Sequence, residues 1–360
     1  MIKRYIDVAV PVSACNLRCS YCYITQRHLF ASKIPPLDYS IPHIRKALSI
    51  KRLGGKSLFN LCGGGETMLP NYIVPLTNAL LEEGHYVMIV TNGTLTQRIK
   101  EFISHISHEN RTRLFFKISF HYLELKRRNL LDIFFNNIDL IRESGISFTL
   151  EATPSDELIP HIEDMKRICI ERVGALCHIT IARDDRKKDK PILTSLSYEE
   201  YRQVWEQFNS PLFDYKFKIF GERRKEFCYN GLFGGILDLS NGIFRRCYNS
   251  PPIQNIFLKP DMPIKFSPIG KCMFSHCYNG HSWLVLGVIP ELDSPSYIEM
   301  RDRTDINGSH WVLPEMREVF SHRLIDSNSQ WSHNKKNVTL ILRSMQRIFR
   351  KICRKIGRIK

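Results

Sequence analysis

No stretch of this chain approaches the roughly 20 consecutive apolar residues that a membrane-spanning helix needs, so no spanning helix is expected. A secretory segment is missing too. Met1 leads directly into "IKRYIDVAVPV", whose apolar run is short for a signal h-region, and no small-residue cleavage site follows. The expected compartment is the cytoplasm. Eleven cysteines, an odd number, then speak for metal ligation or free thiols over disulfides. Internal repeats and low-complexity segments are also lacking. Acidic residues disappear after Asp326: residues 327–360 hold ten Lys or Arg and no Asp or Glu. Of the net charge of +16, the remaining 42 basic and 36 acidic residues account for only +6, so the excess belongs to the tail.

What is present is an alternation. Short apolar, β-branched-rich runs lie at 5–12, 57–61, 86–90, 114–120, 146–150 and 178–182. Helical periodicity follows each one, near 40–53, 70–84, 95–107, 124–144, 157–172 and 198–209. Six strand–helix units predict an α/β fold on a parallel sheet, open or partly closed into a barrel, with the binding site at the carboxyl ends of the strands. Three motifs fall at such ends: a cysteine triplet, "GGGE" and "TNG". From about 215 to 285 the alternation stops, and four cysteines sit among Gly, Pro, Asn and aromatic residues. The predicted division is a core at 1–212, a loop-rich module at 213–285, an extension at 286–334 and a basic tail at 335–360.

The triplet is Cys15, Cys19 and Cys22 in "SACNLRCSYCYI" (13–24). It is one ligand short of a closed zinc site. No fourth Cys or His follows at zinc-finger spacing, His28 being the nearest later candidate. Three packed core cysteines are the plain alternative, but Cys15 and Cys19 lie in a Ser- and Asn-containing loop after a strand. A four-iron cluster held by three thiolates leaves one iron open to another ligand. Cys15-x3-Cys19-x2-Cys22, with Tyr21 before the last cysteine, resembles the cluster loop of the radical S-adenosylmethionine (SAM) superfamily. The resemblance extends over about residues 5–285. It implies a partial (βα)6 barrel and a [4Fe-4S] cluster whose fourth iron is chelated by the amino and carboxylate groups of SAM. It further implies an electron donor such as flavodoxin or ferredoxin. Reductive cleavage would then give methionine and a 5′-deoxyadenosyl radical that takes hydrogen from substrate.

In "LCGGGETML" (61–69), Gly64, Gly65 and Glu66 match the family's Gly-Gly-Glu motif, with Glu66 as acceptor for the SAM ammonium. "VTNGT" (90–94) matches its third-strand ending. Asn92 there is either a cofactor contact or part of a plain Asn-Gly turn. Tyr21 is expected near the adenine, through its ring or its backbone, and Ser119 at the ribose. The glycine-bearing fifth-strand motif is absent from "SFTLEATPSD", which puts adenine contacts there in doubt.

Cys228, Cys247, Cys272 and Cys277 follow the pattern C-x18-C-x24-C-x4-C, with Gly242 five residues before Cys247 and Gly270 two before Cys272. Four thiols fit a closed zinc or iron–sulfur site that would lend folding energy to a weak core. The region resembles the SPASM and twitch modules of radical SAM enzymes, and its four cysteines imply one auxiliary [4Fe-4S] cluster. His276 is a spare ligand. Cys62, Cys169, Cys177 and Cys353 are expected as free thiols, the first three in or near the core.

Subgroup members act on peptides or sugars, and the auxiliary cluster either accepts an electron from a substrate radical or binds substrate. Only 14 residues precede Cys15, leaving no room there for a leader-binding domain. The expected substrate is a glycan, a small molecule or a peptide. In the tail, Val338, Leu342, Met345, Phe349, Ile352, Ile356 and Ile359 form one apolar helical face amid Lys and Arg. Such a helix suits an anionic membrane surface or packing on the body. Nucleic acid is disfavoured, because stacking aromatics are sparse. The rival from another class is a non-catalytic zinc protein with a nucleic-acid-contacting tail. The Gly-Gly-Glu motif speaks against it, since a zinc scaffold has no use for that motif.

Overall fold

The computed structural model describes residues 1–248 and 250–356. Six parallel strands stand in sequential order: β1 (Arg4–Val10), β2 (Ser57–Gly63), β3 (Tyr86–Thr91), β4 (Leu114–Phe120), β5 (Ser147–Ala152) and β6 (His178–Ile179). Helices connect them, forming the parallel α/β sheet that the alternation predicts, curved into the partial (βα)6 barrel that the resemblance implies. Residues of one parity, such as Ile6, Phe59, Val87 and Phe116, pack under these helices in the larger core. The helix Ile162–Val173 shows how: Ile162, Met165, Cys169 and Val173 are buried at steps of three and four.

The opposite parity faces inward. At the amino ends Tyr5, Leu58, Met88 and Phe115 are apolar and belong to a second core. Toward the carboxyl ends the same face turns polar. Asp7 pairs in register with Asn60, Lys117 with Thr149, and Ser119 with Glu151. The second core is completed by residues 283–324, including Trp283, Val285, Leu286, Tyr297 and Met300. Trp283 meets Tyr5 edge-on at 4.7 Å. Each large apolar side chain so buried contributes roughly 1.5–3 kcal/mol, which makes this segment a plug at the amino ends of the strands.

Five short strands lie beyond the barrel: β7 (Phe227–Cys228), β8 (Gly234–Asp238), β9 (Ile243–Arg245), β10 (Pro252–Asn255) and β11 (Gly270–Lys271). β8 runs parallel along β1, and β9 and β10 follow antiparallel, so one sheet of nine strands crosses from the barrel into the cysteine-bearing module. The 212/213 division falls inside the helix Pro211–Ile219, which starts on the Ser210 side-chain cap.

The first five strands end within two residues of their expected bounds. The sixth is shorter, because Thr180 makes a last bond to Ala152 and the chain then leaves for a loop closed by the Arg183–Ile192 bridge. The helix expected at 40–53 divides at Ser49, the cap of its second piece. That at 124–144 divides into Tyr122–Arg127 and Leu131–Glu143, with Asn129 left-handed between them.

The C-terminal helix His333–Ile356 docks through Lys336, which pairs with Glu291 at 2.9 Å, Leu340 over Gly270, and Arg343, which donates to the Pro268 carbonyl. At 3.6 residues per turn these lie on one side. Ile341, Met345, Ile348, Phe349 and Ile352 lie on the other, 49–67% exposed. Ile359 falls outside the described residues, as does the side chain of Ile356. Among the described residues no helix is long and apolar enough to cross a membrane.

Candidate functional site

The cysteine loop leaves the carboxyl end of β1, and Cys22 caps the four-residue helix Tyr23–Gln26. Burial pushes the Cys15 thiol up and that of Cys19 up to about 12, and neighbouring thiols add to both. Bound iron would reverse this, since a coordinating metal draws the proton off a thiol. Three thiols on one loop, beside an accepting glycine turn, therefore fit a cluster with one open iron.

The loop is braced from two sides. Gly65 N–H donates to the Val12 carbonyl and Glu66 N–H to the Ala14 carbonyl, both at 2.8 Å. A Cβ on Gly65 would stand 1.8 Å from the Ala14 oxygen, so only glycine fits. The Glu66 carboxylate, 2% exposed, accepts from Thr91 Oγ1 at 2.7 Å, Asn92 N–H at 2.8 Å and Met68 N–H at 3.0 Å. Its first task is thus to tie β2 to β3, rather than to wait free for an ammonium. Asn92 does similar work. Its Nδ2 donates to Asn16 Oδ1 at 2.8 Å and reaches Cys15 Sγ at 3.8 Å, and Asn16 in turn donates to Thr94 at 2.7 Å. Asn92 therefore lies against the cluster loop itself. The Tyr21 hydroxyl meets His121 Nδ1 at 2.7 Å, anchoring the loop to the end of β4. Asn16, Thr94 and His121 were not among the sequence candidates. Asn16 lies within the quoted cluster loop and Thr94 within "VTNGT".

Inside the barrel is a cavity of about 320 Å³, bounded by Tyr23 beside the triplet, by Ser119, and by Cys277 of the second set. Its wall carries Lys117, Glu151, Arg183 and Lys216. Arg301, fully buried, reaches Glu151 from the plug, and Lys117 Nζ lies 3.3 Å from the same carboxylate. Burial alone would raise Glu151, but Arg301, Lys117 and Lys216 together hold it below its ordinary value. Gly64 lies against Tyr23 and Ile24, next to this opening.

The second set assembles through the short strands. β11 pairs with β7, so Cys228 lies opposite Gly270, two residues from Cys272. Gly242, at φ 76, starts the approach to Cys247, and a Cβ there would strike the Phe257 ring at 2.4 Å. Burial pushes Cys228 well up and Cys247 to about 12, and Cys277 rises as well. Cys247, Cys272 and Cys277 all act on Cys228, so the four thiols are neighbours. Among the described residues no three His, Cys, Asp or Glu side chains meet tightly enough for a single ion. A four-iron cluster gives each thiolate its own iron. Asp7 welds this module to β1, accepting from Tyr248 at 2.6 Å and from Asn279 at 3.2 Å. His276 is buried against Phe220 and Tyr278 and lines the cavity. Cys169 and Cys177 are buried in the core, Cys62 is partly buried, and Cys353 is exposed.

A parallel (βα)6 barrel with a three-cysteine loop after its first strand defines the class. Residues 10–157 match the family model described as the radical SAM superfamily. Among solved structures, SuiB of Streptococcus suis bound to S-adenosylmethionine superposes with a TM-score of 0.50 at 17% identity, over 71% of this chain and 64% of that one. Histidine-tagged anSMEcpe with bound AdoMet gives 0.52 at 17%, over 73% of this chain and 76% of that one. Native anSMEcpe with AdoMet and the Cp18Cys peptide gives 0.50 at 16%, over 72% and 78%. At such identities the likeness concerns the fold. This chain spans under two thirds of the length of SuiB. No curated protein sequence matches it.

Proposed function

We propose that the protein is a radical SAM enzyme with one auxiliary [4Fe-4S] cluster of the twitch type, modifying a substrate held in the barrel cavity. The observation that carries this is the cavity's position, with Tyr23 of the cluster loop on one side and Cys277 of the second thiol set on the other. When bound, cluster and SAM would supply a 5′-deoxyadenosyl radical able to take hydrogen from an unactivated carbon. Cys15, Cys19 and Cys22 hold that cluster. Asn92, Asn16 and Thr94 fix the loop, Gly64 and Gly65 admit SAM closely, and Ser119 faces the same space. Cys228, Cys247, Cys272 and Cys277 hold the second cluster, placed to accept an electron from substrate or to bind it. Native anSMEcpe has been solved with a bound peptide, which supports testing a peptide first among the three expected substrate classes.

The C-terminal helix would rest on an anionic membrane surface from the cytoplasmic side. Its apolar face points away from the body on which it docks, and the segment has basic residues without acidic ones.

Reduced, reconstituted protein should release 5′-deoxyadenosine from SAM, and Cys19→Ala should abolish release. Iron should total about eight per chain, falling to about four when Cys15, Cys19 and Cys22 are replaced together. Release by Cys19→Ala at the wild-type rate would overturn the assignment. Zinc in place of the remaining iron would overturn the auxiliary cluster.

A further inference from the structure

We propose that the barrel cavity holds its substrate by an anionic group, a carboxylate or a phosphate, set between Lys216 and Arg183. This deepens the reading just given and rests on the cavity's being the substrate site.

The charges of the cavity do not balance. Lys117, Arg183 and Lys216 line it, and Arg301 stands behind the wall, whereas Glu151 is the acidic residue on its surface. Glu151 is already engaged by Arg301 and Lys117. Asp7, farther along the inward face, is held by Tyr248, Asn60 and Asn279. Asp184 and Asp185, next to Arg183, are taken by Arg186 and Lys190. Lys216 Nζ donates to Thr180 Oγ1 and Arg183 Nη1 to the Tyr278 carbonyl at 3.1 Å. Neither has a carboxylate at ion-pair distance among the described residues, although Glu151 acts on Lys216 from farther off. Burial, with Arg183 and Lys117 close by, pushes Lys216 well below the usual lysine value. Without an anion such a lysine gives up its proton, and an anion set beside it and Arg183 would favour the charged form again.

Two other anions are accounted for elsewhere. The SAM carboxylate is assigned to the open iron of the first cluster. The thiols of the second set lie in the module, where Arg224, itself paired with Glu222 and Glu226, acts on Cys277. Ser119, Thr153 and Thr180 add hydroxyl donors around the cavity, which suits an oxyanion.

Titration calorimetry on anaerobically isolated protein tests this, with inorganic phosphate and glutarate as probes at fixed chloride. The wild type should bind at least one of them, and the tighter probe tells phosphate-bearing from carboxylate-bearing substrates. Lys216→Gln and Arg183→Gln should each weaken binding tenfold or more, whereas Lys188→Gln, at an exposed position, should not. No binding of either probe by the wild type, or equal binding by all four proteins, overturns the proposal. A second measurement needs no variant. Reductive methylation mapped by mass spectrometry should find Lys216 shielded by the bound probe and Lys188 unshielded; Lys216 labelled equally with and without the probe overturns it too. The SAM-cleavage assay on the wild type is read separately. Anion binding without 5′-deoxyadenosine release would remove the enzymatic reading and leave the anion site standing.

Discussion

Lys117, Glu151 and Arg301 place two cations and one anion inside the barrel, away from bulk water. Burying an unpaired charge is costly, and breaking a buried pair by removing one partner costs about 3–5 kcal/mol. Arg301→Met keeps most of the side-chain volume and removes the cation. It should lower stability by roughly that amount in urea unfolding. The pH dependence follows from Glu151, whose folded value is held below the ordinary 4.5 by Arg301 and Lys117 against burial. The stability it contributes is present above pH 4.5 and is lost as pH falls through the lowered folded value. The gap between wild type and Arg301→Met should therefore narrow in acid, and a constant gap would remove Arg301 from this account. None of the three was a sequence candidate, although two left a signal there. Lys117 interrupts the apolar run "LFFKISF" and Glu151 closes "SFTLE", each at an inward position. Arg301 left none, because its partner lies 150 residues away.

At the scale of elements, the β2 turn and the cysteine loop act as one unit, joined by the backbone bonds of Gly65 and Glu66. Gly65→Ala cannot be absorbed by a side-chain movement, since the clash is with the Ala14 backbone. That variant should lose about four of roughly eight irons, those of the first cluster, and keep the second. Full iron content in Gly65→Ala would show that the loop yields. The barrel strands were legible because each is a compact apolar run bounded by turn residues. The helix Pro211–Ile219 was less so, since apolar residues lie on several of its faces. The plug at 283–324 was not legible at all: its apolar residues follow neither period, and their burial comes from tertiary contact with Tyr5, Leu58, Met88 and Phe115. The triplet and the glycine turn were plain as a pattern of residues. The bracing roles of Glu66 and Asn92 needed the fold, because sequence shows a carboxylate but not what it already accepts.

For the whole molecule, the tail helix gives the protein a side. Juxtamembrane basic residues contribute roughly 1 kcal/mol each on anionic bilayers. Full-length protein should therefore sediment with anionic vesicles at low salt and be released as salt rises. A chain ending at Ser332 should stay in the supernatant. Equal sedimentation of both would assign the exposed apolar face to another partner, such as a second copy of the chain. The join between β1 and β8 has a different kind of consequence. Tyr5 lies opposite Gly234 in the register, so the first strand made is completed by one made about 230 residues later. At synthesis rates of about 5–20 residues per second, one edge of β1 stays open for roughly 10–50 s. A bare strand edge invites pairing with other chains, and closing so long a loop is slow. The cysteine triplet emerges at the start of that interval, and the auxiliary thiols only at its close. Biogenesis is thereby given a direction in time: the first iron site is exposed to its supply machinery well before the sheet that will enclose it exists.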